Sequence, residues 1–161
     1  MLKELFIETI SDKLVGMGFV RNKDRWNLFY DGSIIVIEIQ YSKITNALFI
    51  NFGISYLNPN VKKKVFKIDD CYFIGRYNQI IQSNNTDDVW IFLDRSTEEI
   101  KKKVEDVANK IENLILPYLK KLGNRNYVIN SLSNITSENR LWLQKITSAE
   151  LLDILRPGAS L

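Results

Sequence analysis

The chain has 161 residues, 45% hydrophobic and 25% charged, which suits one domain around one core and argues against wholesale disorder. It contains no histidine and one cysteine, Cys71, which removes Ser-His-Asp and Cys-His activation, the common zinc sites and any intramolecular disulfide. The net charge of +3, from 22 basic and 19 acidic residues, gives only a weak field, and Arg, the usual fork for phosphate and guanine, is scarce at 7 against 15 Lys, so nucleic acid is not the expected partner.

No run approaches about 18 apolar residues, so no membrane span is expected. The opening MLKELFIETI mixes Lys3, Glu4 and Glu8 among its apolar residues and reads as a first helix rather than a signal peptide. Leu2, Leu5, Phe6, Ile10, Leu14 and Met17 keep helical spacing, which predicts a helix over residues 2–17 with Gly18 as its stop. A short strand over 19–21 follows.

RWNLFY, Asp31-Gly32 and SIIVIEIQYS form a hairpin pattern, because a type I′ turn needs positive φ at both central positions. The two-residue turn pairs Tyr30 with Ser33, Leu28 with Ile35, Trp26 with Ile37 and Arg25 with Glu38. Trp26, Leu28, Ile35, Ile37, Ile39 and Tyr41 then share an apolar core face. A four-residue loop over 43–46 leads to ALFINFGISY and sets Ser42 opposite Ala47, Gln40 opposite Phe49 and Glu38 opposite Asn51. Leu48, Ile50, Phe52, Ile54 and Tyr56 join the core face, while Asn51, Gly53 and Ser55 face the other way.

Asn58, Pro59 and Asn60 end this sheet, and the basic run 62–67 reads as an exposed crossing loop. CYFIGRYNQII and DDVWIFL fit further strands, or a strand and a short helix. Ser96 with Glu99 makes a capping box for a stripe running through Ile100, Val104, Val107, Ile111, Ile115, Leu119 and Leu122 to Gly123, with Pro117 expected to kink or restart the helix. Short helices are expected over 127–132, 137–146 and 148–155, the last capped by Ser148 and ended by Pro157-Gly158. The order describes an α+β fold: an N-terminal helix, a mostly antiparallel sheet, a long helix on one sheet face and short C-terminal helices. It is read as one domain over 1–161.

Gly18-Phe19, Ile39-Gln40-Tyr41-Ser42, Ile50-Asn51-Phe52-Gly53-Ile54, Cys71 with Arg76, Asp88-Val89-Trp90 and Leu116-Pro117-Tyr118-Leu119, in this order and spacing, resemble the bacterial domain of unknown function 4304. The resemblance spans about residues 5–122 as a core and leaves 123–161 as a helical C-terminal extension. This chain has Arg76-Tyr77-Asn78 where the family usually has Arg-Ile-Gly. The resemblance implies the α+β fold and a bacterial cytoplasmic setting; it implies no activity.

The candidate binding residues are Arg25, Glu38, Gln40, Ser42 and Asn51, on the polar side of the sheet, where Gly53 would let another group approach the backbone, together with Arg76, whose place in the sheet the pattern leaves open. The reading set against this is a merely wet sheet face on which Phe29, Ile34, Val36 and Phe49 invite cover by the C-terminal helices. Cys71 reads as a small buried hydrophobe and Trp90 as core. Asp69-Asp70 and Asp87-Asp88 would hold magnesium only if the fold joined them. Nothing in the residues calls for a cofactor or sets an oligomeric state. Three functions remain: a protein-binding module of the immunity or antitoxin kind, which is favoured; an enzyme built on Glu38, Arg25 and Arg76; and a nucleic-acid binder using 62–67 and the long helix.

Overall fold

A computed structural model describes residues 2–58 and 62–156; Pro59, Asn60 and Pro157-Gly158, expected to act as breakers, lie outside the described residues. Helix α1 (Leu2–Gly16) leads into β1 (Val20–Asn22), β2 (Arg25–Tyr30), β3 (Ser33–Ser42) and β4 (Ala47–Tyr56). A strap over residues 62–72 contains one 3-10 turn, Ile68–Asp70. Then come β5 (Phe73–Arg76), α2 (Tyr77–Ile80), α3 (Thr86–Val89), β6 (Ile91–Phe92) and α4 (Thr97–Lys110). A π-helical segment, Ile111–Ile115, joins α4 to α5 (Leu116–Gly123), and α6 (Arg125–Ser137), β7 (Trp142–Leu143) and α7 (Ser148–Leu155) complete the α+β fold.

The seven strands form one sheet in the order β1-β2-β3-β4-β5-β7, with β6 beside β5 on the same flank of β4, and every pairing is antiparallel. Asp31 and Gly32 take φ of 50° and 75°, as a type I′ turn requires, and the hairpin register follows from it. The 43–46 loop likewise yields the expected β3–β4 register, with Asn46 supplying a positive φ. Local turn chemistry thus suffices to set the register of three strands.

One face of the sheet is the main core. Trp26, Ile35, Ile37, Phe52 and Ile54 pack with Phe6, Ile10 and Leu14 of α1, Val104 and Val107 of α4, and Ile111 and Leu119 further on. Two polar groups in this layer find partners across it: Trp26 Nε1 donates to Ser11 Oγ at 3.1 Å, and the Tyr56 hydroxyl donates to the Leu122 carbonyl at 2.6 Å, whereas the buried Tyr77 hydroxyl has no hydrogen-bond partner among the described residues. Tyr41, expected in the core, instead sits at the exposed end of β3 under Lys3.

Local details follow the sequence expectation in part. The capping box of α4 forms, with Ser96 Oγ accepting from the Glu99 N–H and the Glu99 carboxylate accepting from the Ser96 N–H. Pro117 restarts the helix, since α5 begins at Leu116 with Pro117 in its first turn, and the turn before it widens, with the Leu116 N–H bonding Ile111 O. No helix covers 137–146. Positive φ at Asn139 and Lys145 interrupts helical winding, and the extended residues between them pair as β7, with Ile74 opposite Trp142 and Phe73 opposite Leu143. The cap of α7 is Thr147 rather than Ser148.

Candidate functional site

The sheet face opposite the main core carries all six sequence-derived binding residues. Arg25, Glu38, Asn51 and Arg76 stand side by side on β2, β3, β4 and β5, one rung across four strands. Gln40 and Phe49 form the next rung, and Ser42 the one beyond. Arg25 Nε donates to Glu38 Oε2 at 3.0 Å, both side chains being about four-fifths buried. The Arg76 guanidinium lies 5.1 Å from the Phe49 ring centre, and Trp90 meets that ring edge-to-face at 4.1 Å. Trp90 is therefore half-buried platform rather than core. Ser42 Oγ accepts from the Thr45 N–H at 3.4 Å and serves its own loop.

The rest of this face is covered by the chain itself, which corrects two expectations. The run 62–67 exposes its lysines, but Phe66, Ile68 and Cys71 of the strap are buried on Ile34 and Val36. Gly53 and Ser55 face this side as expected, yet both lie beneath cover. The group that approaches Gly53 is Cys71: a Cβ placed at Gly53 would meet its Sγ at 2.6 Å. The strap, not the C-terminal helices, supplies the cover.

Polar side chains fix the strap by its backbone. Asn27 Nδ2 donates to the Phe66 carbonyl at 3.0 Å, and Asn27 Oδ1 accepts from the Phe66 N–H at 2.8 Å. Glu38 Oε2 accepts from the Ile68 N–H at 3.4 Å. From beyond β7, Gln144 Nε2 donates to the Ile68 and Cys71 carbonyls at 2.6 and 2.7 Å, and Lys145 Nζ to the Asp69 carbonyl at 2.5 Å.

Nucleophile and metal chemistry find little footing. Cys71 is buried, and burial, with the charges of Asp70, Glu38 and Asp69 adding to it, pushes the thiol well above its ordinary range, so the thiolate is disfavoured. Asp70 is spent on Lys63 at 2.6 Å and the Lys67 N–H at 2.8 Å; burial raises its pKa, but these partners outweigh it and hold the carboxyl below its usual range. Asp87-Asp88 engage other residues altogether. Among the described residues no group of three or more His, Cys, Asp or Glu is arranged to hold a metal ion.

The pair at 87–88 builds an ionic cluster that sequence reasoning missed. Lys103 Nζ, only 7% exposed, donates to Asp88 Oδ1 at 2.7 Å and lies 3.3 Å from Asp87. Asp88 also accepts from Ser83 Oγ at 2.6 Å, and Arg95 pairs with Asp87. The available signal was a lysine at a core-facing position of α4, between Ile100 and Val107, downstream of a polar Asp-Asp turn.

Residues 10–121 match the family described as Domain of unknown function (DUF4304). The chain belongs to this family. No curated protein and no solved structure matches it. The family region contains the six face residues and the strap, whereas Gln144 and Lys145, which clasp the strap, lie beyond it. Among the described residues no helix is long and apolar enough to cross a membrane.

Proposed function

We propose that the chain is a protein-binding module, of the kind that caps a partner as immunity and antitoxin proteins do, and that it binds through the uncovered half of the polar sheet face. The carrying observation is the rung Arg25–Glu38–Asn51–Arg76 with Gln40, Phe49 and Trp90 beside it. Among the described residues, the side chains of Gln40, Asn51 and Arg76 make no hydrogen bond, while the strands beneath them are fixed by a packed core. Donors held in place in advance lower the ordering cost of association, and Arg and Trp are the residue types that most often dominate interface energies.

The strap supports the same reading. By covering Ile34 and Val36 it confines the open area to a polar and aromatic patch, the composition of a contact surface rather than of a core. Glu38, the base on which an enzyme reading would depend, spends one oxygen on Arg25 and the Ile68 N–H.

The test is a tagged pull-down from the native host with quantitative mass spectrometry, comparing wild type with a Gln40→Ala, Asn51→Ala double variant of unchanged melting temperature. Wild type is expected to retain a partner that the variant loses, and reconstitution of that pair from purified components should repeat the difference. Equal capture by both proteins refutes the reading.

A further inference from the structure

The two arginines at the ends of the rung are in different states. Arg25 is neutralised by Glu38. Arg76 is exposed, and among the described residues its guanidinium has no ion pair and no side-chain hydrogen bond. Its contact is the Phe49 ring, itself backed by Trp90, and a cation–π contact uses none of the five guanidinium N–H donors. Arg76 is thus placed by an aromatic platform with its fork unspent. Asn51, the neighbour on the same rung, and Gln40, one rung further, add amide donors.

We infer that the face receives an acidic segment of a partner protein, with Arg76 binding a carboxylate in fork fashion and Asn51 and Gln40 donating beside it; this rests on reading the face as a protein contact surface. The charge count favours a carboxylate over a phosphate. Arg25, Glu38 and Arg76 sum to a single positive charge, which one carboxylate neutralises. Glu38 cancels Arg25, so the charge of Arg76 alone is left for a ligand, which falls short of balancing a phosphate dianion. A planar guanidinium matches a carboxylate bidentately, so the recognition is directional as well as ionic.

The probe is a phage-displayed random dodecapeptide library panned on the folded wild-type chain. Selected peptides are expected to carry Asp or Glu at a recurring position. A synthetic copy should lose roughly tenfold or more in affinity on Arg76→Gln, and a similar amount when its acid is changed to the amide. The two losses should not add when combined, and Arg76→Lys should fall between. An unchanged melting temperature for Arg76→Gln separates this from misfolding. Peptides that require Gln40 and Asn51 but bind Arg76→Gln equally well, or lack an acid, overturn the carboxylate inference while leaving the face reading intact. Peptides indifferent to the Gln40→Ala, Asn51→Ala variant overturn both.

Discussion

Asn27 grips Phe66 by both of its backbone groups, donating to the carbonyl at 3.0 Å and accepting from the N–H at 2.8 Å. The amide thereby stands in for a strand partner, and the strap lies on the sheet face without pairing as a strand. Asn27→Ala leaves a buried N–H and a buried C=O without partners. Roughly 3 kcal/mol of stability should be lost, with amide exchange over 62–71 rising more than in the sheet. Denaturant titration and hydrogen-exchange mass spectrometry check both, and a loss spread evenly over all elements would show that Asn27 does not act through the strap.

The strap also requires glycine at position 53, where an added Cβ would fall 2.6 Å from Cys71 Sγ and 2.8 Å from its Cβ. Gly53→Ala should therefore cost about 1–3 kcal/mol by forcing strap and sheet apart. Cys71→Gly in the same chain removes both clashing atoms. The double variant should recover part of the loss, giving a favourable coupling in a double-mutant cycle, whereas strictly additive losses would place the strain elsewhere.

Asp88 and Lys103 are a closed pair, each 7% exposed. Burial works against the charged carboxyl of Asp88, but the bonds from Lys103 and Ser83 outweigh it and lower its pKa below the ordinary 3.8. Because the folded-state value is depressed, the stabilisation is complete above about pH 4 and is lost as pH falls through the folded-state value. Asp88→Ala leaves Lys103 buried with weaker partners and should cost roughly 3–5 kcal/mol at pH 7. Urea melts between pH 6 and 2 should show the variant losing less stability on acidification than wild type. Parallel curves would contradict the assignment.

What was legible in the sequence follows from the range over which each interaction acts. Asp31-Gly32 and the 43–46 loop align β2, β3 and β4 through chemistry confined to a few residues, so the rung joining Arg25, Glu38 and Asn51 could be written down in advance. Arg76 joined it only through β5, after a crossing whose path no local signal describes. The strap has the sequence of a loop because its lysines dominate the composition, while its anchors, Phe66 and Ile68, depend on Asn27 and Gln144, respectively 39 residues before Phe66 and 76 after Ile68. β7 holds two residues, too few for any periodicity to register.

Gln144 is the counterpart of Asn27 from the other end of the chain, with one amide nitrogen donating to both the Ile68 and the Cys71 carbonyls. It reaches them because β7 pairs with β5 and because the Gln144 N–H continues that ladder to the Tyr72 carbonyl. Residues outside the family-matched span thus close the cover on a face that lies inside it. Gln144→Ala should cost about 1–3 kcal/mol, since the two carbonyls lose a shared donor, and should raise exchange around residues 68–72. Asn27 and Gln144 hold neighbouring parts of one segment, so releasing either loosens what the other must hold. The double variant is then expected to lose less than the sum of the two single losses, and purely additive losses would mean that the two ends of the strap open independently.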